Sequence, residues 1–183
     1  MPRTPFPRSY WVFQPMLLAG YYPGDRDPGG TRERMRALLD CGVRTVVNLM
    51  EPDERDLEGR PFTPYEPVFL ELGSERGVET TCERFPVRDL GIPSRRTMGV
   101  ILDTIYESIR AGRPVYVHCW GGVGRTGTVV GCYLLRHHLA GSDDVLDHIA
   151  RLRVADPSSH RPSPETPEQR RFVLGWPDVD ERS

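Results

Sequence analysis

The stretch PVYVHCWGGVGRTG, residues 114–127, constrains this chain more than any other. A β-branched run gives way to three closely spaced glycines, Gly121, Gly122 and Gly124, and then to an apolar segment running from Thr126 to His138. β-Branched residues favour a buried strand. Glycines let a backbone curl through conformations closed to other residues. The apolar segment is long enough for a buried helix. A strand entering a helix through a tight turn is the repeating unit of α/β folds, which bind ligands beyond the carboxyl ends of their parallel strands.

The rest of the chain supplies neighbours for that unit. Apolar runs from Tyr10 to Tyr22, broken at Pro15 and Gly20, predict two short strands. DRDPGG (25–30) is turn chemistry, with Thr31 as the expected cap of a helix over 32–40 whose Met35, Leu38 and Leu39 share a face. Gly42 stops that helix, and VRTVVNL (43–49) reads as a buried strand. Residues 51–78 show no sustained period apart from a short helix expected from Tyr65 to Leu72. A strand is expected over 80–87 and a loop over 89–94. Met98, Ile101, Leu102, Ile105 and Ile109 then follow the helical spacing up to Gly112. Two further helices are predicted over 142–153 and 164–175. The fold expected is a single α/β domain over 10–176, a central, mainly parallel sheet flanked by helices. It lies between a loose Pro- and Arg-rich arm (1–9) and a tail (177–183).

At 183 residues such a domain buries enough surface to need no staples. A net charge of -2 argues against nucleic acid or an anionic membrane as a bulk partner. All 24 basic residues are Arg, a bias that fits a GC-rich genome, since most of them read as surface positions. Cys41, Cys82, Cys119 and Cys132 are too scattered for a disulfide framework and form no CxxC pair, so no structural zinc is expected. The N-terminus lacks the apolar stretch of a signal peptide, and no run approaches ~20 apolar residues. A reduced, cytoplasmic, monomeric protein without metal or cofactor is the expectation.

The 119–125 loop carries the chemistry. Inward-facing N–H groups of Trp120, Gly121, Gly122, Val123 and Gly124 suit one anion. The helix N-terminus adds partial positive charge. Arg125 adds a planar fork matched to two oxygens of a phosphate. Cys119 lies in the same field, where a thiol is expected to be a thiolate at neutral pH, with Thr126 placed to donate a hydrogen bond to the sulfur. The nucleotide-loop pattern G-x-x-x-x-G-K-[ST] fails at both key positions, with Cys119 at its first Gly and Arg125 at its Lys. HCWGGVGRTG resembles the H-C-x5-R-[ST] signature of protein tyrosine and dual-specificity phosphatases. PMLLAGYYPGD (15–25) and VVNLMEPDE (46–54) are similar to the opening strands of compact dual-specificity members, so the resemblance covers most of residues 10–175. It implies Cys119 as nucleophile, Arg125 as phosphate binder and Thr126 as the hydroxyl aiding breakdown of the intermediate. It also implies a loop-orienting, thiolate-tuning role for His118, although a purely structural role fits that residue equally well.

Cleaving a phosphate ester requires a proton for the leaving oxygen. Asp89, 30 residues before Cys119 in a loop holding Gly91 and Pro93, has the placement of the family's general acid. Trp176-Pro177-Asp178 spells the acid motif of larger tyrosine phosphatases but follows the Cys, so Asp178 is set aside and Trp176 is read as a packing residue. Gln169, 50 residues after Cys119, resembles a residue that positions the hydrolytic water; it equally fits a solvated helix position. The loop interior WGGV holds no extra basic residue, which favours a phosphoprotein or phosphopeptide over phosphoinositides and inositol phosphates. A non-catalytic phosphate-binding module and a redox sensor using Cys41 or Cys82 as resolving thiol are the rival readings.

Overall fold

The structure is a computed structural model that describes residues 4–177. Its sheet has the order β1-β2-β5-β3-β4, formed by β1 (Ser9–Phe13), β2 (Leu17–Gly20), β3 (Thr45–Asn48), β4 (Thr81–Arg84) and β5 (Val115–His118). All neighbours from β2 to β4 pair in parallel, and β1 adds an antiparallel edge. The VYVH run predicted as a buried strand is therefore the central strand, and all four of its residues are buried. Its register places His118 level with Gly20 on one side and Asn48 on the other. Three strands thus end together, and Cys119 is the first residue beyond that edge.

Strand alternation sorts the core into two layers. Leu17, Val47, Val115 and Val117 face α3 (Arg95–Arg110), α4 (Gly124–Arg136), α5 (Val145–Leu152) and α6 (Pro167–Leu174). Leu18, Val46 and Tyr116 face α1 (Pro28–Asp40) and α2 (Glu66–Glu75). This is the expected α/β domain with helices on both faces. Among the described residues no helix is long and apolar enough to cross a membrane.

Several boundaries differ from expectation. Helix α1 starts at Pro28, not after Thr31: the Asp27 carboxylate accepts the Gly30 N–H, and Pro28 fills a first-turn position that lacks a partner for an N–H anyway. Thr31 is buried inside that turn, where its Oγ1 accepts from Asp25 N and donates to Asp25 O. The strand predicted over 80–87 is trimmed to four residues, and the last two helices start three residues later than their patterns implied. The described part of the N-terminal arm is packed, not loose. Phe6 is buried edge-on against Tyr21 and Tyr116, and Ser9 begins β1. Trp176 packs against the core beside Phe172, as a residue closing the last helix should. Asp178 and the rest of the tail lie outside the described residues.

Gly131 shows how tightly α4 is held. A Cβ there would lie 2.6 Å from Val173 Cγ1 of α6 and 3.3 Å from Ile149 Cδ1 of α5. Gly131→Ala is expected to cost about 1–3 kcal/mol by overpacking this crossing, measured as a lower urea midpoint at an unchanged slope.

Candidate active site

The segment Cys119–Val123 wraps the carboxyl edge of β5 and enters α4 at Gly124. Its carbonyls are turned outward and held there. Trp120 O accepts from Tyr22 N at 2.9 Å, Gly121 O from Arg8 Nη2 at 2.9 Å, and Val123 O from Ser163 Oγ at 2.7 Å. In a trans peptide the next N–H points opposite to the carbonyl. The amides of Gly121, Gly122 and Gly124 are thereby turned inward, toward one another and the N-terminus of α4, which is an anion cradle. Gly122 is required twice over: its φ is +71°, and a Cβ would lie 2.6 Å from the backbone of Gly20 and Tyr21.

The expected chemistry-bearing residues converge on this loop. Cys119 is buried, and Thr126 Oγ1 donates to its Sγ at 3.1 Å. Arg125 is buried with the four terminal N–H groups of its guanidinium engaged. Nη1 donates to Glu54 Oε2 at 2.7 Å and Val87 O at 3.0 Å; Nη2 donates to Glu54 Oε1 at 2.7 Å and Asp89 Oδ1 at 2.9 Å. Burial works against the guanidinium charge, but Glu54, with Cys119 and Asp89 nearby, more than offsets it, so Arg125 stays protonated. Asp89 is half-exposed where its carboxylate meets Arg125.

His118 is wholly buried. Its Nδ1 lies 3.1 Å from Cys119 O and its Nε2 2.5 Å from the Tyr65 hydroxyl. A carbonyl only accepts, so Nδ1 carries the proton and Nε2 accepts from Tyr65. Burial pushes the imidazole down to about 3, against the opposing effect of the Cys119 carbonyl. His118 is thus a neutral spacer holding the first carbonyl of the loop.

Gln169 is buried too. Its amide oxygen, the atom expected to steer water, is occupied by the N–H groups of Glu165 and Thr166, and its Nε2 donates to Gly91 O at 3.0 Å. Trp120 lies at the rim, its ring 5.6 Å from Phe62, which in turn stands 4.8 Å from Tyr22. These three residues and Arg26 line a cavity of about 320 Å³ beside the loop. Cys82 packs on the α1/α2 face of the sheet, whereas Cys119 belongs to the opposite layer. That placement gives no support to Cys82 as a resolving thiol.

Glu54, Tyr65 and Phe62 were missed from sequence. All three come from the 51–78 stretch, and each acts through a contact distant in the chain. The one available signal was an acidic residue just after a parallel strand, in the VVNLMEPDE segment.

Residues 11–167 match the family model described as "Swiss Army Knife protein, DSP-PTPase phosphatase domain". The chain therefore belongs to the dual-specificity and tyrosine phosphatase family. It is 29% identical over 138 residues to phosphatidylglycerophosphate phosphatase PTPMT2 of Arabidopsis thaliana, covering 75% of this chain and 52% of that protein. It is 26% identical over 152 residues to the Arabidopsis thaliana protein named phosphatidylinositol 3,4,5-trisphosphate 3-phosphatase and protein-tyrosine-phosphatase PTEN1, covering 80% of this chain and 34% of that protein. The chain thus spans about half or less of the length of these relatives. Among solved structures, Tk-PTP in its active form superposes with a TM-score of 0.62 at 25% identity, covering 92% of this chain and 95% of that one.

Two predictions follow from the geometry. Glu54→Gln removes the charge that aligns and balances a buried guanidinium. It is expected to lower kcat/KM for an aryl phosphate by about tenfold or more, through misplacement of Arg125, as read by steady-state kinetics. His118 has its folded value near 3 against an ordinary 6.5, so between those values the unfolded chain binds more protons. Its contribution to stability is complete above pH 6.5 and lost as pH falls toward 3. His118→Asn is expected to flatten the fall in denaturation midpoint over that window.

Proposed function

We propose that this chain hydrolyses phosphate monoesters on proteins, at tyrosine or at serine and threonine, through a cysteinyl-phosphate on Cys119. The observation that carries the reading is the meeting of Cys119 Sγ, the Thr126 hydroxyl, Arg125 and Asp89 around one anion cradle. Sγ attacks phosphorus as the ester P–O bond breaks, and Asp89 gives its proton to the leaving oxygen. Asp89, now a carboxylate, takes a proton from the water whose oxygen attacks phosphorus as the S–P bond breaks. Inorganic phosphate leaves, and the thiolate is received by the Thr126 hydrogen bond. The inward amides and Arg125 meet the charge on the equatorial oxygens throughout.

Donor counting adds a step. Both hydrogens of Nη2 are in use, so a phosphate that grips Arg125 through Nη2 must displace a carboxylate there, and Asp89 is far more exposed than Glu54. Substrate binding thereby frees the acid at the moment it is needed.

The loop interior, Trp120 to Val123, carries no basic side chain, which favours a singly phosphorylated protein substrate. The similarity to relatives named as lipid phosphatases supports phospholipid monoesters as a second reading. A panel of phosphopeptides and phosphoinositides, run against Cys119→Ser, separates the two by which class turns over. For the core reading, the purified protein is expected to hydrolyse p-nitrophenyl phosphate in the presence of a metal chelator. Asp89→Asn is expected to lower kcat/KM for phenyl phosphate, whose leaving group needs the proton, by about 100-fold or more while phosphopeptide binding is retained; an unchanged value removes Asp89 as the acid.

A further inference from the structure

We propose that Gln169 is a positioning residue for the general acid, tying the backbone of the Asp89 loop to the phosphate loop and to the start of α6. The proposal rests on the reading of Asp89 as the acid.

Gln169 is fully buried and touches three separate elements. Its oxygen accepts from the N–H groups of Glu165 and Thr166, and its own N–H is received by the Thr166 hydroxyl, which completes a capping box on α6. Its Nε2 reaches Gly91 O, two residues past Asp89. Its amide also lies against the phosphate loop: a Cβ on Gly124 would be 3.0 Å from both Nε2 and Oε1. The orientation of that amide is fixed. Turning it over would aim its NH₂ at two N–H groups and its oxygen at a carbonyl, losing every bond it makes.

The acid loop is bracketed. Arg125 Nη1 holds Val87 O before Asp89, and Gln169 Nε2 holds Gly91 O after it. Between these anchors the chain makes a sharp local turn, with Leu90 at φ +60° and Gly91 N donating to Arg88 O. When a phosphate displaces the Asp89 carboxylate from Nη2, both backbone anchors remain. Only the side chain swings, and it swings from a fixed root. A shift of about 1 Å in an acid costs on the order of 100-fold in rate, so loss of one anchor registers where protonation of the leaving group limits turnover.

The test compares phenyl phosphate, whose leaving group needs the proton, with p-nitrophenyl phosphate, whose leaving group needs it far less. Gln169→Met removes the donor at similar volume. Gln169→Glu keeps an acceptor for the helix cap and sets a carboxyl group against Gly91 O in place of the donor, providing a second route should the first variant fold poorly. Thr166→Ala weakens the same cap and leaves the tether. Both Gln169 variants are expected to lose about tenfold more kcat/KM on phenyl phosphate than on p-nitrophenyl phosphate, whereas Thr166→Ala leaves that ratio unchanged. An equal loss on both substrates, or the same selective loss in Thr166→Ala, overturns the tether. Asp89→Asn is run alongside. If it shows no selective loss on phenyl phosphate, the acid assignment itself fails and the tether falls with it, a result distinct from a failure of Gln169 alone.

Discussion

A guanidinium withdrawn from water needs a full set of acceptors, and the arrangement of this molecule's carboxyl edge follows from meeting that need for Arg125. Two oxygens of Glu54, the carbonyl of Val87 and the carboxylate of Asp89 take the four terminal N–H groups. Those partners arrive on two different chain segments, one after β3 and one after β4, so the parallel sheet is what delivers them. Because Glu54 grips both terminal nitrogens of the fork end-on, Arg125 keeps its direction, and keeps its charge although burial opposes it. The cost of that burial is offset by ion pairing, which leaves the cradle next to it free for a substrate oxyanion.

The loop itself is held from behind in the same manner. Arg8, the Tyr22 amide and Ser163 fix three carbonyls outward. Ser163 belongs to a segment braced by Arg153, which is buried and donates to Arg161 O, Ser158 O and Ser158 Oγ. The His118–Tyr65 hydrogen bond sets the first residue of the turn. Preorganisation of this kind means that the inward amides need little rearrangement when charge builds up on phosphorus.

Much of this was legible in the sequence because it is local. VYVH, Cys119, the three glycines, and the Arg and Thr that follow lie within a dozen residues, and their order dictates strand, turn and helix. The reading of Asp89 as the acid rests on the likeness of its loop, between a strand and a helix upstream of Cys119, to the family's acid loop. The illegible part is non-local. Glu54 meets Arg125 across 71 positions and Tyr65 meets His118 across 53, and neither leaves a periodic signal. Arg153 belongs to an all-Arg basic set read mostly as surface, and only burial sets it apart. Thr31 was taken as a cap because it precedes the apolar stripe, whereas Asp27 has the stronger claim through its carboxylate and the proline after it. Gln169 reads in sequence as a water-positioning residue or a solvated helix residue, whereas it is buried with its amide oxygen committed to the start of its own helix.

A nucleophilic Cys119 must become covalently phosphorylated during turnover. The most direct measurement is rapid acid quenching of the protein with saturating p-nitrophenyl phosphate, followed by mass spectrometry of the peptide containing Cys119. A phosphoryl adduct on Cys119, accumulating in Thr126→Ala because its breakdown is slowed, and absent in Cys119→Ser, is the predicted result. Turnover with no adduct on Cys119 in either the wild-type chain or Thr126→Ala, or activity retained in Cys119→Ser, would contradict it.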